Sequence, residues 1–160
     1  MMIIIGFIHS NHLIYRDLKP TNIIIDDNKT AILIDFDRMI KIDSISNKDD
    51  VTADFQSVFH APEVSCSYEC DIYSLGKMIY YIMKEEEPPR DSNELEKVFE
   101  NEDIQKIYNM CVNADPKKRQ SISKLILDFY FTFSSQIEVE NVLEIYEKYL
   151  NNLYDSNTLN

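Results

Sequence analysis

The chain has 160 residues, the length of about one domain, and 44% of them are hydrophobic, so a sizeable core is possible. Its 28 acidic and 16 basic residues give a formal net charge of -12, which disfavours nucleic acids and anionic membranes as partners. Three cysteines without a CxxC pair predict neither a disulfide framework nor a zinc site, and they favour a reduced, cytoplasmic setting.

The first apolar run covers residues 3–8 and predicts a buried helix or strand end. It is too short to span a bilayer, and it lacks the flanking features of a signal peptide. The chain contains only two glycines, Gly6 and Gly76. A GxGxxG loop needs three, and neither glycine precedes Lys-Ser or Lys-Thr, so both standard phosphate-binding loops are excluded from this sequence.

A β-hairpin is predicted by two β-branched apolar runs, residues 23–25 and 31–34, which flank a polar cluster at residues 26–30. Polar side chains lie at both outer ends of this hairpin, at residues 17–22 and at Asp35. Because paired strands bring their ends together, these side chains are expected to share one site. Residues 38–60 are polar and irregular and predict a long surface loop.

A helix is predicted from Asp71, and its apolar residues lie on all sides, which is typical of a buried helix. It is expected to end before the prolines at 88 and 89. Helical patterns resume over residues 95–111 and 122–133. A last amphipathic pattern over residues 138–154 favours a helix that packs on its own domain. We therefore expect one domain at residues 1–133, followed by a helix and frayed tail at 134–160.

Five motifs occur in the order used by a known family. They are Tyr15-Arg16-Asp17 with the seven residues before it, Asp35-Phe36-Asp37, Ala61-Pro62-Glu63, residues 71–76, and residues 115–119. Over residues 3–131 the chain resembles the C-terminal lobe of a eukaryotic-type protein kinase. The resemblance implies a mainly α fold of α+β type, a kinase-like C-lobe with a small β-hairpin at its catalytic edge.

The resemblance also implies a protein serine/threonine kinase, which transfers the γ-phosphoryl group of ATP to a protein hydroxyl with Mg2+. Asp17 is expected to accept the proton of the substrate hydroxyl, and Lys19 to offset the charge of the transferred phosphate. Asn22 and Asp35 are expected to bind Mg2+ and, together with Lys19, the phosphates of ATP. Lys19 followed by Pro20 is the form typical of kinases that act on serine or threonine.

Four further residues are expected to have structural roles by the same resemblance. Glu63 and Arg119 would form an ion pair between the activation segment and the late helices, and Asp71 would accept backbone hydrogen bonds from the catalytic loop. Arg16 would pair with a phosphorylated loop residue, although an ordinary solvated loop explains the segment equally well. The candidate phosphorylation sites are Ser44, Ser46, Thr52 and Ser57. We assign no site role to the three histidines; His9 and His12 are expected to pack at a helix end.

The sequence departs from the family pattern at several positions. Tyr15 stands where the catalytic loop usually has histidine, and Phe55 and Gln56 stand at the usual Gly-Thr. Asp37 replaces the glycine of the DFG motif, where the glycine backbone conformation would be costly for aspartate and a second carboxylate would lie beside a metal ligand.

The motifs that precede the catalytic loop in this family are not found in the chain. These are the glycine-rich loop, the strand lysine and the helix glutamate, so we expect the N-lobe to be absent. The isolated chain is then expected to bind ATP poorly and to be inactive. Two other interpretations stay open: a non-catalytic, pseudokinase-like binding or scaffold module, and a piece of a longer gene product.

Overall fold

The computed structural model describes residues 1–44, 57–63, 66–90 and 97–134. Within these ranges the chain forms four α-helices and two small antiparallel sheets. The helices are α1 (Met2–Ser10), α2 (Tyr68–Lys84), α3 (Glu102–Cys111) and α4 (Ile122–Phe133); the strands are β1 (Leu13–Ile14), β2 (Ile23–Ile25), β3 (Ala31–Leu33) and β4 (Ile40–Lys41). No helix in the described ranges is long and apolar enough to cross a bilayer.

The short apolar run at the N-terminus forms α1, which is one of the two alternatives that the sequence left open. Ile5 and Ile8 are buried on this helix and belong to the main core, together with Leu75 of α2 and Leu125 of α4. The helix packs against α2 and α4 and leads directly into β1. Its position therefore fixes where the following loop, residues 15–22, begins.

The predicted hairpin is confirmed by the pairing of β2 with β3. Ile23 pairs with Leu33, and Ile25 pairs with Ala31. The side chain of Asp26 closes the turn, since its Oδ1 accepts from the backbone N–H groups of Asn28 at 2.9 Å and Thr30 at 2.7 Å. An aspartate that satisfies its own turn in this way is the local reason for the reversal of the chain.

Helix α2 runs through the core but is not buried along its whole length. Asp71 is fully buried, whereas Ile82 and Met83 are exposed, so the prediction of burial on all sides is wrong for the last turn. The helix begins at Tyr68, three residues before the predicted start, and ends at Lys84, ahead of the prolines. Glu85 closes the helix in the left-handed conformation, with φ of 57°.

Helices α2 and α3 approach each other at Gly76. A Cβ atom at this position would lie 2.6 Å from both Cβ of Cys111 and Cγ1 of Val112. Only a residue without a side chain fits this contact without moving α3. The second glycine of the chain is therefore explained by helix packing rather than by phosphate binding.

The helix predicted over residues 95–111 starts later, at Glu102. Asn101 caps it, because its Oδ1 accepts from the backbone N–H groups of Asp103 and Ile104, each at 3.0 Å. Residues 97–101 are not helical, and residues 91–96 lie outside the described ranges. Helix α4 has the predicted bounds, and Ser121 caps it through the N–H of Lys124.

The loop predicted over residues 38–60 contains a short strand. In β4, Ile40 pairs with Ile14 and Lys41 pairs with Leu13 of β1. Two residues are too few to show the alternation that marks a strand in sequence, so only the tertiary pairing defines β4. Residues 45–56 lie outside the described ranges, and so do all residues after 134 of the helix and tail predicted at 134–160.

Candidate active site

Asp17 lies at the centre of a hydrogen-bonded cluster in the loop between β1 and β2. Its side chain is only 4% exposed. The Oδ2 atom accepts from Nζ of Lys19 at 2.7 Å and from Nδ2 of Asn22 at 3.0 Å. The same amide nitrogen of Asn22 also donates to the backbone carbonyl of Asp17 at 2.9 Å. Three of the four residues predicted for catalysis and metal binding are thus in direct contact.

Asp35, the fourth residue, follows β3 at the end of the hairpin where Asn22 precedes β2. The backbone N–H of Ile34 donates to the carbonyl of Asn22 at 3.0 Å, which ties the two chain segments together. Asp35 is exposed and has a φ of 61°, a left-handed conformation that is uncommon for aspartate. The hairpin therefore brings Asp35 to the same edge as the Asp17 cluster.

Asp37 does not adopt the glycine-like conformation that its position in the motif led us to expect. It is not among the residues with positive φ, and it lies in a turn closed by the N–H of Met39, which donates to the carbonyl of Phe36 at 3.0 Å. Aspartate is a favoured residue in such turns. The expected backbone cost at Asp37 is therefore wrong, and only its negative charge distinguishes this position.

Asp71 of α2 binds the start of the loop at residues 15–22. Its two carboxylate oxygens accept from the backbone N–H groups of Tyr15 and Arg16, each at 2.8 Å, and from Nε2 of His9 at 2.9 Å. Arg16 has a φ of 73°, so the loop is held in a conformation that a non-glycine residue seldom adopts alone. The buried carboxylate stabilises this bend.

Glu63 and Arg119 form a buried ion pair between the segment 57–63 and the turn before α4. Nη2 of Arg119 donates to Oε2 of Glu63 at 2.8 Å, and Nη1 donates to Oε1. The guanidinium also donates to the backbone carbonyls of Glu69 at 2.9 Å and Asn113 at 2.8 Å. The Arg119 side chain is 0% exposed and the Glu63 side chain is 13% exposed, so the guanidinium makes these contacts away from solvent.

Tyr15, at the usual position of histidine, links the catalytic loop to the Asp35 segment. It is fully buried, its hydroxyl donates to the carbonyl of Ile34, and its ring meets the Phe36 ring edge-on at 5.7 Å. Burial raises the pKa of Tyr15 to about 12, so the hydroxyl stays protonated and donates. The substitution therefore keeps a polar group that joins the two loops.

The sequence missed two histidines that contact the site. His9 binds Asp71, as described above, and Nε2 of His60 lies 3.0 Å from Oδ1 of Asp17. His9 packs at the end of α1 as expected and also binds Asp71, whereas the contact of His60 with Asp17 was not predicted. The only signal in sequence was that His60 stands three residues before Glu63, and that spacing does not reveal which side chain it meets.

The electrostatics of the cluster follow from burial and from these hydrogen bonds. Burial acts to raise the pKa of Asp17, but hydrogen bonds from Lys19, His60 and Asn22 outweigh it, and the pKa lies below its usual value. Burial lowers the pKa of His60, and the contact with Asp17 offsets only part of that effect. At neutral pH, Asp17 is thus ionised and His60 is neutral.

The donor set suits a magnesium ion that is shared with a phosphate ligand. No group of three or more His, Cys, Asp or Glu side chains within the described residues is arranged to hold a metal. Asn22 and Asp35 supply an amide oxygen and a carboxylate, which are hard ligands of the type that Mg2+ prefers. Mg2+ is commonly held by one or two protein groups plus water and substrate phosphates, so this pair fits that role.

The proposed phosphorylation sites fall in different places. Ser44 is exposed at the end of a short 3-10 turn, and the hydroxyl of Ser57 accepts from the N–H of Phe59 at 3.3 Å. Ser46 and Thr52 lie outside the described ranges, as do Phe55 and Gln56. The pairing of Arg16 with a phosphorylated residue stays a prediction.

Comparison with known proteins agrees with the motifs. The family model described as "Protein kinase domain" matches residues 1–138. The chain is 27% identical over 153 residues to the serine/threonine-protein kinase ppk34 of Schizosaccharomyces pombe, covering 82% of this chain and 42% of that protein. It is 35% identical over 114 residues to the serine/threonine-protein kinase PKH3 of Saccharomyces cerevisiae, covering 59% of this chain and 13% of that protein. The chain thus spans less than half the length of these two relatives.

Proposed function

We propose a phosphoryl-transfer role for this chain, which belongs to the family of eukaryotic-type serine/threonine protein kinases. In this proposal residues 1–133 are the C-terminal lobe of a kinase domain that moves the γ-phosphoryl group of ATP to a serine or threonine of a protein substrate. The observation that carries it is the buried Asp17 carboxylate, which accepts from Lys19 at 2.7 Å and from Asn22 at 3.0 Å.

In the proposed reaction Asp17 binds the substrate hydroxyl and accepts its proton. An ionised carboxylate has about four acceptor sites, and three are taken by Lys19, Asn22 and His60, so one remains for a hydroxyl. The low pKa of Asp17 keeps that site available at neutral pH. Its role is therefore to orient the hydroxyl and to take up the proton as the phosphate bond forms.

Lys19 is proposed to contact the transferred phosphate. Its side chain is 29% exposed, so the ammonium can turn from Asp17 towards a ligand without leaving solvent entirely. Asn22 and Asp35 are proposed to hold Mg2+ at the edge of the hairpin. When bound, the ion would bridge phosphate oxygens and neutralise part of their charge.

The proposal is tested by phosphate transfer in the full native protein. With labelled ATP, Mg2+ and casein as a general acceptor, Asp17→Asn is expected to lower kcat by about a hundred- to ten-thousandfold. Asp27→Asn is the matched control, because Asp27 is exposed in the hairpin turn. Equal rates for the two variants would contradict the assignment.

A non-catalytic binding module is the second candidate, and Asp37 favours it. The carboxylate of Asp37 stands two residues from Asp35 and adds a second negative charge beside a proposed Mg2+ ligand, whose octahedral geometry tolerates little change. A thermal shift with ATP and Mg2+ separates the two candidates, since nucleotide at about 100 times its Kd adds about 2.7 kcal/mol to stability. We expect a shift that needs Mg2+. No shift in wild type, with one restored by Asp37→Gly, would favour the binding module.

A further inference from the structure

We propose that His60 is a positioning residue for Asp17, which couples the segment 57–63 to the carboxylate at the reacting centre. The contact joins residues 43 positions apart, with Nε2 of His60 3.0 Å from Oδ1 of Asp17. This inference rests on the function proposed above, because it deepens the role of Asp17. Its first test nevertheless reads the contact without any reaction.

The two side chains meet in a closed environment. His60 is 8% exposed and Asp17 is 4% exposed, so water competes little for their hydrogen bond. The other donors to Asp17, Lys19 and Asn22, both use Oδ2. His60 contacts the other oxygen, Oδ1, so it acts on the rotation of the carboxylate about its last torsion, which is intrinsically soft.

The chemistry of the two groups gives the hydrogen bond its direction. A carboxylate oxygen accepts, so in this contact Nε2 of His60 carries the proton and donates to Oδ1 of Asp17. A neutral imidazole in this tautomer orients the carboxylate without neutralising it, and the base keeps its charge for the substrate proton.

The segment that carries His60 is anchored on both sides of the contact. Phe59 is buried and its ring packs edge-on against the Tyr81 ring of α2 at 5.9 Å. Three residues beyond His60, Glu63 is held by Arg119. The imidazole thus reaches Asp17 from a fixed segment, and a displacement of this segment would move the carboxylate with it.

The first experiment measures the imidazole signals of the full native protein by long-range 1H–15N NMR. We expect His60 to be the neutral Nε2–H tautomer, with a shifted Nε2–H signal that disappears in Asp17→Ala. Exposed His12 is the internal reference and should not respond. The chain contains three histidines, His9, His12 and His60, so single substitutions assign their signals. A His60 signal that is unchanged by Asp17→Ala overturns the proposal, whether or not the protein transfers phosphate.

The second experiment compares two substitutions of His60 by steady-state kinetics. His60→Leu keeps the bulk but removes the donor, and a misplaced base should lower kcat by up to about a hundredfold with the KM for ATP unchanged. His60→Gln can still donate and should recover most of the loss. Equal kcat for Leu, Gln and wild type overturns the positioning role. If wild type itself transfers no phosphate, the proposed function fails, and the NMR result alone decides the His60–Asp17 contact.

Discussion

Two buried aspartates of this molecule have similar exposure but different kinds of partner. Asp71 is 0% exposed, and two of its three donors are backbone N–H groups, those of Tyr15 and Arg16. The Asp17 side chain is 4% exposed, and its donors to the carboxylate are all side chains. Backbone donors leave only if the loop unfolds, whereas side chains can rotate towards a ligand. Although both aspartates are buried, Asp71 therefore stabilises the loop, whereas Asp17 can exchange its side-chain partners for a ligand.

The largest expected effect is the loss of stability in Asp71→Ala. Three donors lose their acceptor, and each buried donor without a partner costs about 1–3 kcal/mol, so we expect a loss of about 3–9 kcal/mol in the free energy of unfolding. Urea unfolding followed by far-UV circular dichroism measures it. The exposed Asp27→Ala should change stability by less than about 0.5 kcal/mol. A loss below about 1 kcal/mol in Asp71→Ala would contradict the claim that Asp71 stabilises the fold.

Asp17→Asn should show the opposite balance. We expect kcat to fall by about a hundred- to ten-thousandfold while the loss of unfolding free energy stays well below that of Asp71→Ala. The reason is that the side-chain donors of Asp17 can find other partners, and the fold does not depend on their position. Parallel kinetics and urea unfolding of the two variants check this. If Asp17→Asn and Asp71→Ala lose the same unfolding free energy, both aspartates stabilise the fold and the proposed difference between them is wrong.

The Glu63–Arg119 pair tests whether a buried charged group stabilises the fold more than an exposed one does. Glu63→Gln leaves the guanidinium of Arg119 buried without a counter-charge, which should cost about 3 kcal/mol. Glu100→Gln is the matched control, since Glu100 pairs with Lys97 at 3.1 Å on the exposed surface. That control should cost less than about 1 kcal/mol, because solvent screens exposed pairs. Chemical unfolding of both variants at one pH makes the measurement, and equal losses would contradict the role assigned to burial.

The smallest expected effect is a pH dependence of stability through His60. Its pKa is lowered in the folded protein, so the unfolded chain binds the proton first as pH falls through about 6.5. The contribution of neutral His60 is therefore complete above pH 6.5 and is lost as pH falls towards its folded pKa. His60→Gln should lose less stability than wild type between pH 7.5 and 5.5. Thermal unfolding at the two pH values is the measurement, and identical losses in the two proteins would exclude this effect.

The local structure was predictable wherever it depends on neighbours in the chain. Helix α4 has its predicted bounds, and the hairpin of β2 and β3 follows from two apolar runs and the turn at Asp26. The sequence places the start of α3 too early, because the apolar pattern also covers residues on the N-terminal side of the capping residue Asn101. Strand β4 has two residues and no periodic pattern, so the sequence predicts a loop at this position.

The sequence by itself determined the family and the residue types of the candidate site, because the motifs that carry Asp17, Lys19, Asn22 and Asp35 are contiguous or nearly so. Only the tertiary structure decided which side chains meet across the chain. His9 reaches Asp71 over 62 positions and His60 reaches Asp17 over 43. Spacing along a chain reports periods of helices and strands, whereas these contacts depend on how α1, α2 and the segment 57–63 pack in space.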